Sequence, residues 1–76
     1  MKLEVGDVIK LSDGLDYAII QKLQSNKVVY LYLITTSKPL QTAIVKEKID
    51  DNQIILETVT DEEELDYVLY RIGQLA

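Results

Sequence analysis

The sequence predicts an α+β domain: a five-stranded antiparallel meander, strongly curled or closed into a small barrel, followed by one C-terminal amphipathic helix. Three observations lead to this prediction. Short apolar runs rich in β-branched residues alternate with turn residues up to residue 59. The run 28–34 is apolar throughout, so both faces of a strand there need cover. After residue 60 the apolar spacing changes to three and four, as in a helix packed on a core.

The first half of the chain predicts three strands joined by two tight turns. The first strand spans residues 7–11 and is followed by Asp13-Gly14, a strong hairpin signal. The second strand spans 16–24, and the turn 25–27 leads into the third, at 28–35. Strand alternation would put one apolar set of the second strand on a single face. That set is Tyr17, Ile19 and Leu23.

Two further strands follow a loop that contains Pro39, which cannot donate a ladder hydrogen bond. The fourth strand is predicted at 41–49 and the fifth at 53–59, where Ile54 and Leu56 should point inward. The residues between them, 50–52, have the composition of a turn. Curling of this meander into a small barrel would leave the helix to close it.

The helix is predicted at 61–74, with Thr60 as its cap and Glu63 completing a capping box. Acidic residues in the first turn also suit the positive end of the helix dipole. The apolar residues of the helix are spaced to form one buried stripe. They are Leu65, Val68, Leu69, Ile72 and Leu75.

We expect the chain to form a single domain, 1–76. Its composition limits the kinds of function that this domain can have. A chain this short buries only about 60–65% of its unfolded surface, so its stability is marginal. It contains no Cys and no His, which excludes disulfides, thiolate zinc sites and histidine-based catalysis. No signal peptide and no membrane-length apolar run is evident, so we expect a cytoplasmic protein that does not enter a membrane.

Charge is unevenly distributed along the chain. Residues 1–48 contain seven Lys against five acids, whereas residues 49–76 contain eight acids against Arg71 alone. The second surface would repel phosphates, so we expect no direct nucleic-acid binding, and it would suit a basic protein partner. The commoner case is that such acids serve only solubility and the start of the helix.

Three stretches carry a resemblance to a known family: 16–20 (DYAII), 42–46 (TAIVK) and 54–68 (IILETVTDEEELDYV). Over about residues 15–70 the chain resembles the YrzB-like family, small acidic proteins of Gram-positive bacteria classed as a domain of unknown function. The resemblance implies a cytosolic bacterial protein with no known catalytic residues. Residues 5–8 (VGDV) instead resemble the opening of many SH3-like barrels.

The first candidate site is the outer face of the helix, where Tyr67 and Tyr70 lie opposite the apolar stripe. Glu63 and Asp66 lie beside them, and an exposed aromatic pair among acids is typical of an interaction hot spot. The competing interpretation is that one tyrosine lies over a loop edge and the other is ordinary amphipathic surface.

A second candidate is the whole acidic run at the start of the helix, which could imitate the phosphates of a nucleic acid. It would then inhibit a DNA- or RNA-handling protein. The alternative is a capped and solvated helix end. The residues concerned are Asp61, Glu62, Glu63, Glu64 and Asp66.

A third candidate is the face of the central strand that carries Tyr30 and Tyr32. If the helix packed on the Leu31 side, these tyrosines would be free to form a homodimer. The favoured alternative is that the chain covers both faces itself.

No catalytic, cofactor or metal site is predicted. The serines have no histidine base, and no glycine-rich phosphate loop is present. The turn 50–52 lacks the glycine and late glutamate of a calcium loop. The sequence therefore favours a non-enzymatic module that binds another protein.

Overall fold

The computed structural model describes residues 3–25 and 27–75, and it confirms a five-stranded antiparallel meander followed by one C-terminal helix. Strand order in the sheet follows chain order. The second predicted turn includes Asn26, which lies outside the described residues, as does the side chain of Leu75. The elements are β1 (Val8–Lys10), β2 (Asp16–Ser25), β3 (Val28–Thr35), β4 (Thr42–Asp50), β5 (Gln53–Thr58) and α1 (Glu62–Leu75).

Two of the predicted turns have the backbone geometry that their residues favour. Gly14 has a φ of 84°, which a glycine adopts without strain, and the Asp13 carboxylate accepts a hydrogen bond from the Leu15 amide. Asp51 and Asn52 have φ values of 48° and 66° between the paired ends of β4 and β5. Positive φ at both central residues gives a hairpin turn whose twist matches that of the strands.

One face of the sheet encloses an apolar cluster inside the curl, which we call the inner cluster. Leu3 and Ile9 at one end of the sheet and Leu56 at the other pack against it. Within the described residues β1 and β5 are not paired, so the sheet is a half-barrel and does not close. The buried members of the inner cluster are Tyr17, Ile19, Leu31, Leu33 and Val45.

The helix packs on the other face of the sheet, where it forms a second cluster, the outer cluster. Tyr30 belongs to this cluster, so α1 lies on the Tyr30 side of β3 and not on the Leu31 side. The helix therefore covers one face and leaves the half-barrel open. The chain covers the two faces of β3 by itself, as the favoured interpretation expected. The buried members are Leu23, Tyr30, Ile44, Val59, Val68 and Ile72.

A β-bulge makes the predicted face of Leu23 wrong. Ile19 pairs with Leu33 and Gln21 with Tyr32, so Ile20 is an extra residue in β2. An extra residue reverses the alternation of side chains beyond it. Ile19 consequently packs in the inner cluster and Leu23 in the outer one.

The helix cap also differs from the prediction by one residue. The Asp61 carboxylate accepts hydrogen bonds from the amides of Glu63 and Glu64, at 2.9 and 3.4 Å. Asp61, and not Thr60, is therefore the N-cap, and α1 begins at Glu62. No helix in the described part of the chain is long and apolar enough to cross a membrane.

Candidate protein-binding site

Tyr67 is held in place on the outer side of α1 although it remains 40% exposed. Its hydroxyl lies 2.7 Å from Oγ of Ser25, at the end of β2, and accepts a hydrogen bond of 2.9 Å from Nη1 of Arg71. The Arg71 guanidinium carbon lies 5.8 Å from the centroid of the ring. The hydrogen bond with Ser25 and the charge of Arg71 lower the pKa of the Tyr67 hydroxyl. The ring is thus fixed from the strand side and from the helix side.

Tyr70 lies one turn further along the same side and is 66% exposed. Its hydroxyl has no hydrogen-bond partner among residues 3–25 and 27–75. Residues three apart on a helix are neighbours, so the two tyrosines form one aromatic surface. The structure places both outside the core, as the helical spacing predicted.

Glu63 and Asp66 flank this aromatic surface and are exposed. Neither forms an ion pair with any residue that the structure describes. The same holds for Glu62. The four residues predicted as a partner-binding face therefore lie together, and its two acids have no ion-pair partner among the described residues.

Glu64 has a different position from the other acids of the run. It accepts a hydrogen bond of 2.7 Å from the Tyr30 hydroxyl, and Lys46 Nζ lies 3.4 Å from both carboxylate oxygens. Burial and the Glu64 carboxylate raise the pKa of Tyr30 to about 12. Asp61 is occupied as the helix cap. Two of the five acids proposed to imitate phosphates are therefore engaged within the chain.

Tyr30 and Tyr32 have different surroundings, which bears on the predicted homodimer. Tyr30 is buried under α1, whereas Tyr32 is half-buried and lines a groove of about 310 Å³ between α1 and the sheet. Leu69, which was predicted to be buried, is exposed and lies at this groove. Tyr30 is thus already covered, while Tyr32 keeps part of its side chain accessible at the groove.

Sequence reasoning missed a cleft between the two unpaired edge strands. The cleft has a volume of about 320 Å³ and is lined by Leu3 and Ile9 on one side and by Ile54 and Leu56 on the other. Ile54 points inward as predicted but remains 38% exposed because no strand of the described residues covers this edge. The sequence signal for the cleft was the inward alternation of the fifth strand, which is followed by the predicted helix.

Among the described residues, no three His, Cys, Asp or Glu side chains lie together in a way that could hold a metal ion. Comparison with known proteins gave no match to a family model, to a curated protein or to a solved structure. The resemblance to the YrzB-like family therefore remains a prediction.

Proposed function

We propose that this protein is a non-enzymatic cytoplasmic module that binds a partner protein through the outer face of α1. The contact surface comprises Glu63, Asp66, Tyr67 and Tyr70. The observation that supports the proposal is the fixed position of Tyr67, whose hydroxyl contacts both Ser25 and Arg71 while its ring stays partly exposed.

An aromatic ring that is already ordered loses little conformational entropy when a partner covers it. Tyr also offers a large contact area, and truncation of such a residue at the centre of an interface typically costs about 2 kcal/mol or more. Tyr67 has the properties of this kind of anchor, and Tyr70 extends the area next to it. The favoured partner surface is therefore apolar at its centre.

The charges around the tyrosines suggest the chemistry of the partner's rim. Glu62, Glu63 and Asp66 are exposed and lack ion pairs within the described ranges. A ring of Lys or Arg on the partner would complement them and accelerate association at low salt. We therefore expect a basic rim around an apolar centre.

The alternative, an acidic imitation of a nucleic acid, has less support. It requires a row of free carboxylates, but Asp61 caps the helix and Glu64 bonds to Tyr30. Only three acids of the run remain free for a basic site, and two tyrosines lie among them.

Affinity capture from an extract of the source organism tests the proposal, with proteins quantified by mass spectrometry. The variant is Tyr67→Ser/Tyr70→Ser, and the matched control is Leu40→Ser, an exposed apolar residue in the β3–β4 loop. We expect one stoichiometric protein, captured by the wild type and the control and lost with the tyrosine variant.

A charge variant, Glu62→Lys/Glu63→Lys, separates the two functions. The contrary result is capture of a nucleic-acid-handling enzyme that is lost mainly with this charge variant and whose binding weakens steeply with salt. That result would favour the acidic inhibitor over the protein-binding module. Equal capture by the wild type and the tyrosine variant would show that the outer face of α1 is not the binding surface.

A further inference from the structure

The edges of the half-barrel are two strands that each have a neighbour on one side only. Within the described chain, β1 pairs with β2 and β5 pairs with β4, and no strand lies between β1 and β5. The outer edge of β5 therefore presents the amide and carbonyl groups of alternate residues, which have no strand partner among the described residues. An unpaired edge of this kind is a template for an added strand.

The surface next to this edge is apolar. Ile54 and Leu56 project from β5 into the cleft and face Ile9 of β1 across it. Ile49 pairs with Ile54 on the same side of the sheet and is 80% exposed. Alternate side chains of an added strand would find these apolar neighbours.

The charges on the cleft side of the β4–β5 hairpin are uncompensated. Glu47 pairs with Leu56 in the register and is half-buried, and no described residue forms an ion pair with it. Asp51 adjoins Asn52, which lines the cleft, and it also lacks an ion pair among the described residues.

The lysines of the same hairpin do not neutralise this side. Lys48 Nζ lies 2.8 Å from Glu57, and Lys46 lies 3.4 Å from Glu64 on the helix. Both pairs lie on the helix-side face of the sheet, because strand alternation places Lys46 and Lys48 opposite to Glu47. The cleft side of this hairpin consequently retains net negative charge.

We propose that this cleft is a second binding site, which accepts an extended segment of a basic partner protein as an added strand along β5. Alternate apolar side chains of the segment fill the cleft, and its Lys or Arg residues lie beside Glu47 and Asp51. A second copy of this chain is a poor occupant, because it carries a net charge of −5 and would bring the same acids together. The site is on the face of the sheet opposite to α1, so it is separate from the helix surface.

The test uses a random dodecapeptide library displayed on phage, selected against the full chain. Enriched peptides are then synthesised with a fluorescent label and titrated by anisotropy. We expect sequences that alternate apolar residues with Lys or Arg. A selection without enrichment, or one that yields acidic peptides, would overturn the proposal.

Ile54→Lys and Ile55→Lys form a matched pair of variants. The two residues are neighbours in β5, 38% and 44% exposed, and project to opposite faces, so each variant adds one charge at similar exposure. We expect Ile54→Lys to weaken peptide binding about tenfold or more and Ile55→Lys to leave it nearly unchanged. Equal effects of the two variants would contradict a site inside the cleft.

Glu47→Gln/Asp51→Asn provides a second variant, because it removes both charges and Asn accepts the left-handed backbone at position 51. This variant should weaken peptide binding and reduce the salt dependence of binding. Unchanged binding would show that these acidic residues do not contribute to the site. N-methylation of the peptide at one set of alternate residues should abolish binding, while the other set is tolerated. Tolerance at both sets would exclude an added strand.

Sedimentation equilibrium of the free protein tests whether a second copy of the chain occupies the cleft. A monomer is expected for the wild type and for both lysine variants. A wild-type dimer that Ile54→Lys dissociates would show that a second copy fills the cleft, and the proposed partner segment would be wrong.

Discussion

The hydroxyl of Tyr30, in the middle of β3, donates a hydrogen bond of 2.7 Å to the carboxylate of Glu64 in the first turn of α1. This bond joins two residues that are 34 positions apart in the chain. Lys46 of β4 lies 3.4 Å from the same carboxylate and balances its charge. The start of the helix is thereby fixed to the two strands beneath it.

Tyr30→Phe should lower the free energy of unfolding by about 1.5 kcal/mol, since the hydrogen bond that it removes has a charged acceptor. Tyr70→Phe is the matched control, because the Tyr70 hydroxyl is exposed and has no described partner. It should change stability by less than about 0.5 kcal/mol. Urea unfolding followed by circular dichroism measures both, and equal losses would contradict a structural role for the bond.

Alkaline pH should remove the contribution of Tyr30. Burial and Glu64 raise its pKa to about 12 in the folded protein, whereas an unfolded tyrosine ionises near pH ~10. The stabilisation is therefore complete below the unfolded pKa and is lost as pH rises from about 10 to about 12. The difference in stability between the wild type and Tyr30→Phe should shrink over this range. A constant difference in urea unfolding at matched ionic strength would disprove the assignment.

Asp61→Ala should cost about 1 kcal/mol, because its carboxylate bonds two amides of the first helical turn. Thr60→Ala, one residue earlier, should be nearly neutral, since no described hydrogen bond involves its hydroxyl. Thermal and urea unfolding of the two variants distinguishes the caps. A larger loss for Thr60→Ala would restore the capping box that the sequence predicted.

Leu31→Ala should cost about 3 kcal/mol, because Leu31 is fully buried in the inner cluster and its truncation leaves a cavity. Leu40→Ala makes the same chemical change at an exposed position and should cost less than about 0.5 kcal/mol. The two midpoints of urea unfolding give the comparison. Similar losses would mean that Leu31 does not lie in a packed core.

The strands and turns could be predicted because their signals are local. Gly14 and the pair Asp51-Asn52 adopt backbone angles that few other residues accept, so composition alone marks these turns. No local sequence signal indicates the bulge at Ile20, so the face of the sheet on which Leu23 lies was predicted wrongly. The cap was displaced because Thr60 and Asp61 are both good N-cap residues.

The placement of the candidate site was predictable only in part. Helical spacing put Tyr67 and Tyr70 on the outer face, because this requires only the direction of the apolar stripe. The contact between Tyr67 and Ser25 spans 42 residues and depends on which face of the sheet the helix covers. The run 28–34 is apolar on both faces, so the sequence could not decide that question. The presence of the cleft between β1 and β5 depends on how far the sheet curls, and no local sequence pattern predicts that curvature.

The alternation of β2, β3 and β4 between the two apolar clusters has a consequence for unfolding. Ile19 and Leu23 lie in one strand, as do Tyr30 and Leu31, yet each pair divides between the inner and outer clusters. A strand cannot detach from one cluster and stay packed in the other. The two cores built on the same three strands therefore unfold as one cooperative unit, and within the sheet it is the edge strands, β1 and β5, that can open separately.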